Sequence, residues 1–203
     1  MLWLNNFITH SHENSQIYKD GKTNFHFPGD IWDLMNGKED HRLLDKLTHF
    51  LNDIGITIVF RDIEEDCFLP GILITEGEMH IDKEKLLYVG DVLHEAGHIA
   101  IVPPSERHTL NDLSIGERPM HEAEEMMAIA WSFAVALHLE IDPHIVFHDH
   151  GYKGGGGFIA DNFLEGRYFG VPMLQWTEMA WEKFDPENPE RPVYPKMRKW
   201  MRG

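Results

Sequence analysis

The sequence predicts an α+β domain: a small mixed sheet packed on two long helices, with a helical C-terminal elaboration. Three observations carry that expectation. Apolar residues recur at helical spacing in EDHRLLDKLTHFLNDIG, at Leu43, Leu44, Leu47, Phe50, Leu51 and Ile54. Two short strand-like runs follow, ITIVFRDI and GILITEGEMHID. Two long helical patterns come next, DKEKLLYVGDVLHEAGHIAIV and MHEAEEMMAIAWSFAVALHLEI.

Taken in order, residues 1–37 read as irregular, with FHFPGD as a turn. The first helix should stop at Gly55, a residue that accepts the left-handed conformation at a helix end. ITIVFRDI is β-branched and short, the pattern of a buried strand. GILITEGEMHID reads as a second strand or a hairpin bent at Gly77. Asp82 is the expected N-cap of the next helix, and Pro103–Pro104 its stop. PPSERHTLNDLSIGERP is polar and aperiodic, so a loop is expected. The helix after it is almost wholly apolar beyond Glu125, which predicts burial on all sides. IADNFLEGRYFG and GVPMLQWTEMAWEKF are further helical stretches. One domain is expected over residues 1–203, with its core at 40–140, an elaboration at 141–181 and a Pro-rich tail at 182–203. That tail should either wrap the domain or stay mobile.

Composition narrows the function. The formal net charge is −16 in 203 residues, the wrong sign for non-specific binding to nucleic acid. No apolar run reaches the length of a membrane span. The single cysteine, Cys67, allows no internal disulfide, and its acidic neighbours disfavour a reactive thiolate. MLWLNNFITHSHENS has neither a positive start nor a long apolar stretch, so no export signal is read there and a cytoplasmic protein is expected.

The chemistry concentrates in LHEAGHIA, residues 93–100. With 14 histidines in the chain, H-E-x-x-H arises by chance in roughly one such sequence in ten. Its context must therefore carry the assignment. The motif sits in a helical pattern, follows two strand-like runs, and precedes an apolar helix that opens with a cluster of glutamates. On a helix, positions i and i+4 share a face, so His94 and His98 can point at one ion. Zinc suits such nitrogen ligands in an open site, and Glu95 stands where it can take a proton from water activated there. Gly97 costs about 1 kcal/mol in a helix relative to Ala, but it would let a second helix approach closely.

The order helix, ITIVFRDI, GILITEGEMHID, VLHEAGHIA resembles the core of the zincin metallopeptidases over roughly residues 40–140. GEMHIDKEKLLYVGDVLHEAGH is similar to the approach to the active-site helix in the ImmA/IrrE-like peptidases. The resemblance implies a gluzincin-like site: His94, His98 and a glutamate of the following helix as zinc ligands, with Glu95 as general base. Glu117, Glu122, Glu124 and Glu125 are the glutamates on offer. Glu125 is preferred because Ala128, Ser132 and Ala136 form a small-residue stripe on its face, and Glu124 comes next. The chain carries Ile129 where those peptidases have asparagine, and lacks their closing Leu-Leu-Met-Pro. Six residues beyond His98 stands Pro104, so the histidine-extended metzincin pattern fails.

The expectation is therefore a zinc peptidase that hydrolyses a peptide or protein substrate, with GILITEGEMHID as an edge strand to which an extended peptide could add. The alternative is a non-catalytic, zinc-stabilised domain that binds a protein partner. A histidine-rich metal buffer would instead need several weak sites. His144, His148 and His150 admit three readings: ordinary capping or surface histidines, a second metal site, or an oxyanion donor. Tyr152 is a similar donor candidate. YKGGGGF lacks the Gly-Lys-Ser/Thr ending of a phosphate loop and reads as a flexible segment able to act as a lid.

Overall fold

A computed structural model describes residues 29–203, with side chains from residue 40 onward. The irregular reading of residues 1–28 lies outside the described residues. From residue 29 the chain is already helical: α1 spans Gly29–Asp53 and starts well before the expected Glu39. Ile31, Leu34 and Met35 continue the apolar spacing upstream, and the helix carries Gly37 in its interior. It stops as expected at Gly55, whose φ of 99° lets the Ile56 N–H reach back to the Leu51 carbonyl at 2.9 Å.

The sheet has three strands, β1 (Ile58–Phe60), β2 (Ile72–Thr75) and β3 (Glu78–Ile81), in the order β1-β3-β2. Strand β1 runs parallel to β3, and β2 antiparallel to it. The bend foreseen at Gly77 is a tight hairpin turn: Glu76 and Gly77 both take positive φ, 52° and 76°, the turn whose twist matches paired strands. A Cβ on Gly77 would come within 2.3 Å of the Arg107 carbonyl. Ile72, Ile74, Met79 and Ile81 alternate onto one buried face. The expectation of a buried first strand is corrected. Strand β1 is an edge strand, with Ile58 and Val59 half-buried and Phe60 exposed beneath the Lys83 ammonium.

The other edge, β2, is already engaged. Asp82 N–H bonds the Gly71 carbonyl, a register that turns the Ile72 and Ile74 N–H groups away from β3. Leu69 O accepts the first at 3.2 Å, and Asp112 Oδ1 accepts the second at 2.7 Å.

Helix α2 covers Asp91–Ile101 and does not begin at Asp82. The Asp82 carboxylate instead accepts the Ile63 and Glu84 N–H groups, tying the strand region into a turn. Gly90 caps α2 where a Cβ would lie 1.9 Å from the Ile145 carbonyl. The polar stretch expected as a loop holds two short helices, α3 (Pro104–Arg107) and α4 (Asp112–Glu117). Neither needs apolar periodicity: α3 has proline in its first turn, and α4 has a capping box between Asn111 and Ser114.

Helix α5 (His121–His138) is buried from Met127 to Ala136, as its composition foretold. It lies along α2 at close range. A Cβ on Gly97 would meet Ala128 at 3.0–3.2 Å, and Ser132 Oγ donates to the Leu93 carbonyl at 3.2 Å. Helices α6 (Pro143–Val146), α7 (Gly156–Leu164) and α8 (Val171–Trp176) complete the fold. Helix α8 is shorter than its pattern suggested, because the chain leaves it at Thr177 and Ala180 bridges Met197. The glycine run is not a loop either: α7 starts within it. Among the described residues, no helix is long and apolar enough to cross a membrane.

Of the two fates expected for the tail, wrapping is the one observed. Tyr194 Oη donates to Ala130 O at 2.7 Å, and Trp131 Nε1 donates to Trp200 O at 2.8 Å. The Arg202 N–H bonds Ala100 O at 2.9 Å. Arg107 clamps this strap to the end of α2, donating to the carbonyls of Ile99, Val102 and Arg202. Hydrogen bonds from a charged donor contribute about 1.5–3 kcal/mol. Arg107→Ala should therefore lower stability by about that much, read as an earlier midpoint in urea unfolding. An unchanged midpoint would show that the clamp is idle.

Candidate metal centre

His94 and His98 stand one turn apart on α2, and the close approach that Gly97 permits brings the second turn of α5 against them. The two Nε2 atoms are 3.2 Å apart. Glu125 closes the group, with Oε1 3.5 Å from His94 Nε2 and Oε2 3.4 Å from His98 Nε2. Among the described residues this is the one cluster of three or more His, Cys, Asp or Glu placed to hold an ion. Zinc bound tetrahedrally at about 2.0–2.2 Å sets its ligand atoms about 3.3–3.6 Å apart. The two imidazole nitrogens lie close to that separation from each other, each lies close to it from one oxygen of the Glu125 carboxylate, and both donor types are ones that zinc takes.

The surroundings suit the donors. Burial lowers the His94 imidazole to about 4, against the pull of Glu125, so its ring is neutral near pH 7. A neutral ring is the form that can give a lone pair to a cation. Burial also acts to lower His98, but the hydrogen bond to Glu125 and the Glu95 charge outweigh it and raise the group. Burial would push the Glu125 carboxyl up, yet the two imidazoles bring it down to about 2. Glu95, next to His94, has its carboxyl pushed up to about 7 by burial, with His98 opposing and Glu125, Asp112 and Asp91 adding to the rise.

The other glutamates lie elsewhere. Glu124 is buried and held by the Arg118 guanidinium, at 2.6 Å from Nε and 2.9 Å from Nη2. Arg118 also bonds Glu106 at 2.8 Å. Glu117 and Glu122 are exposed. Glu125→Ala should thus weaken zinc binding far more than Glu124→Ala, which should chiefly unsettle Arg118. A competition titration with a chromophoric chelator reads the order directly, and the reverse order would move the ligand role to Glu124.

The later histidines do not assemble a second centre. His144 lies between Asp142 at 2.9 Å and Asp161 at 3.1 Å. His148 Nδ1 accepts the Gly151 N–H at 3.1 Å, which leaves Nε2 as the donor to Asp91 Oδ1 at 2.9 Å. Both His148 and His150 stack on Tyr88. With both ring nitrogens engaged, His148 has no donor left for an oxyanion. Tyr152 reaches the centre from the far side of His94: its Oη lies 3.0 Å from His94 Nδ1, not among the three ligand atoms. Sequence reasoning missed the partners Arg118, Asp91 and Asp112: Asp91 and Asp112 act across 57 and 38 residues, and Arg118 reaches Glu124 across the non-helical turn before α5, where no periodic signal marks the pair.

Compared with known proteins, the chain matches no family model, and no curated protein and no solved structure matches it.

Proposed function

We propose that the chain is a zinc-dependent peptidase of zincin type, acting on a peptide or protein substrate. The observation that carries this reading is the triangle of His94, His98 and Glu125 with a carboxylate, Glu95, on the same helix turn. Zinc bound there would lower the pKa of water and polarise a carbonyl. Glu95 then accepts the proton lost as water adds to the carbonyl carbon. It passes that proton to the amine nitrogen as the C–N bond breaks. The carboxylate of Glu95 beside His94 supports a catalytic site over a purely structural one, which has no need of a base.

An extended substrate meets an edge that is not bare. The N–H groups of Ile72 and Ile74 are held by Leu69 and Asp112. A peptide adding to β2 would have to replace those partners, contrary to the open edge expected from the sequence.

The test is incubation of the zinc-loaded protein with a diverse peptide library, with and without a chelator, and detection of new termini by mass spectrometry. Chelator-sensitive cleavage is expected. Zinc-loaded protein that cleaves nothing, with a protein side chain as fourth ligand, would replace this reading with a zinc-stabilised binding domain.

A further inference from the structure

Tyr152 sits in an unusual piece of backbone. It and Lys153 take positive φ, 51° and 56°, and Gly154 follows at 83°. Left-handed conformations at non-glycine residues cost on the order of 1 kcal/mol or more each. Two in succession persist only where the surrounding structure holds them.

The flanking glycines make this turn possible. Gly154 adopts its left-handed conformation without penalty. Gly156 has no room for a side chain, since a Cβ there would lie 2.4 Å from the His148 carbonyl and 2.5 Å from that of Phe147. Helix α7 can therefore start directly against the segment that follows α6. The result is a short 3-10 turn, Tyr152–Gly154, that points one side chain inward. The Tyr152 ring packs against Phe147 and edge-on to His94, with ring centroids 5.6 and 5.4 Å away. Its hydroxyl meets His94 Nδ1 at 3.0 Å.

We propose that Tyr152 is a positioning residue for the metal centre, and that the glycine run exists to deliver it. A metal ligand that binds through Nε2 carries its proton on Nδ1. Tyr152 Oη is placed to accept that Nδ1–H, which fixes the tautomer, keeps the Nε2 lone pair toward Glu125 and His98, and stops the ring from rotating. Partners of this kind commonly hold metal-bound histidines. The segment that reads as a mobile lid in the sequence thus acts as a rigid bracket.

This inference rests on His94 being a metal ligand, so the experiment separates the two. Zinc is titrated into wild type and Tyr152→Phe against a chromophoric chelator, and the visible spectrum of each cobalt-loaded protein is recorded beside its urea midpoint. Tyr152→Phe should lower zinc affinity about tenfold to a hundredfold and alter the cobalt spectrum, with its fold retained. Wild type that takes up no zinc would overturn the metal centre and the bracket together. Wild type that binds zinc while Tyr152→Phe binds it equally well, with the same cobalt spectrum, would overturn the Tyr152 assignment alone. Should the variant fail to fold, nitrogen NMR of the zinc-loaded wild type decides: a His94 Nδ1–H protected from solvent exchange by its hydrogen bond is expected, and an Nδ1–H that exchanges freely with water would refute the proposal.

Discussion

Protein purified without added metal should contain close to one zinc per chain by elemental analysis, and His94→Ala or His98→Ala should lose most of it. Each substitution removes one of the three groups that converge here, the two imidazoles 3.2 Å apart and each within 3.5 Å of one Glu125 carboxylate oxygen. The remaining imidazole and carboxylate cannot enclose a cation. The loss should exceed the roughly tenfold to hundredfold weakening that follows removal of an outer partner. His98 is buried, so its replacement leaves a small cavity as well, and circular dichroism must show that the fold survives. Full retention of zinc in both variants would end the assignment of this centre.

Glu95→Gln should have the opposite signature: zinc retained, fold retained, cleavage lost. Glutamine has the size of glutamate but cannot take a proton. General-base assistance is worth about 10²–10⁴-fold, and a fall in kcat of that size is expected with little change in KM. The same carboxyl should set the acid limb of the pH profile, because only its ionised form accepts a proton. Burial raises it to about 7 in the metal-free protein, and Glu125 adds to the rise. A bound cation would offset that charge and move the limb to lower pH. Unimpaired cleavage by Glu95→Gln would exclude it as the base.

The site helix, its two histidines and the buried helix beside it were legible because each rests on local spacing. The i, i+4 pair needs only helical geometry, and the small stripe at Ala128 and Ser132 marked which face of α5 meets Gly97. That stripe also favoured Glu125 over Glu124, and the structure places Glu125 with the histidines while Arg118 holds Glu124. Helix starts were less legible. Asp82 looks like a cap, yet its carboxylate is claimed by Ile63, whose position beside it depends on strand pairing. The length of α1 was missed because Gly37 and the polar residues near it mask a pattern that continues upstream. Short helices such as α4 escaped notice because capping, not periodicity, makes them. The glycine run misled most: it reads as freedom, yet Gly154 serves a left-handed turn and Gly156 a close approach to the Phe147 and His148 carbonyls.

The Asp112 carboxylate on the β2 edge has a consequence for the protein in crowded solution. A sheet of three short strands with a bare margin is a template on which another copy can zip its own strand, the first step towards aggregation. Asp112 and Leu69 occupy the two outward N–H groups of that margin, at Ile74 and Ile72. The carboxylate also places a negative charge where an incoming strand would have to lie. Any state in which α4 lifts away would uncover Ile72–Thr75, four uncharged residues of which three are β-branched. The short helix is thus a guard on the sheet, and conditions that loosen it would first be seen as concentration-dependent clumping of a chain that is still largely folded.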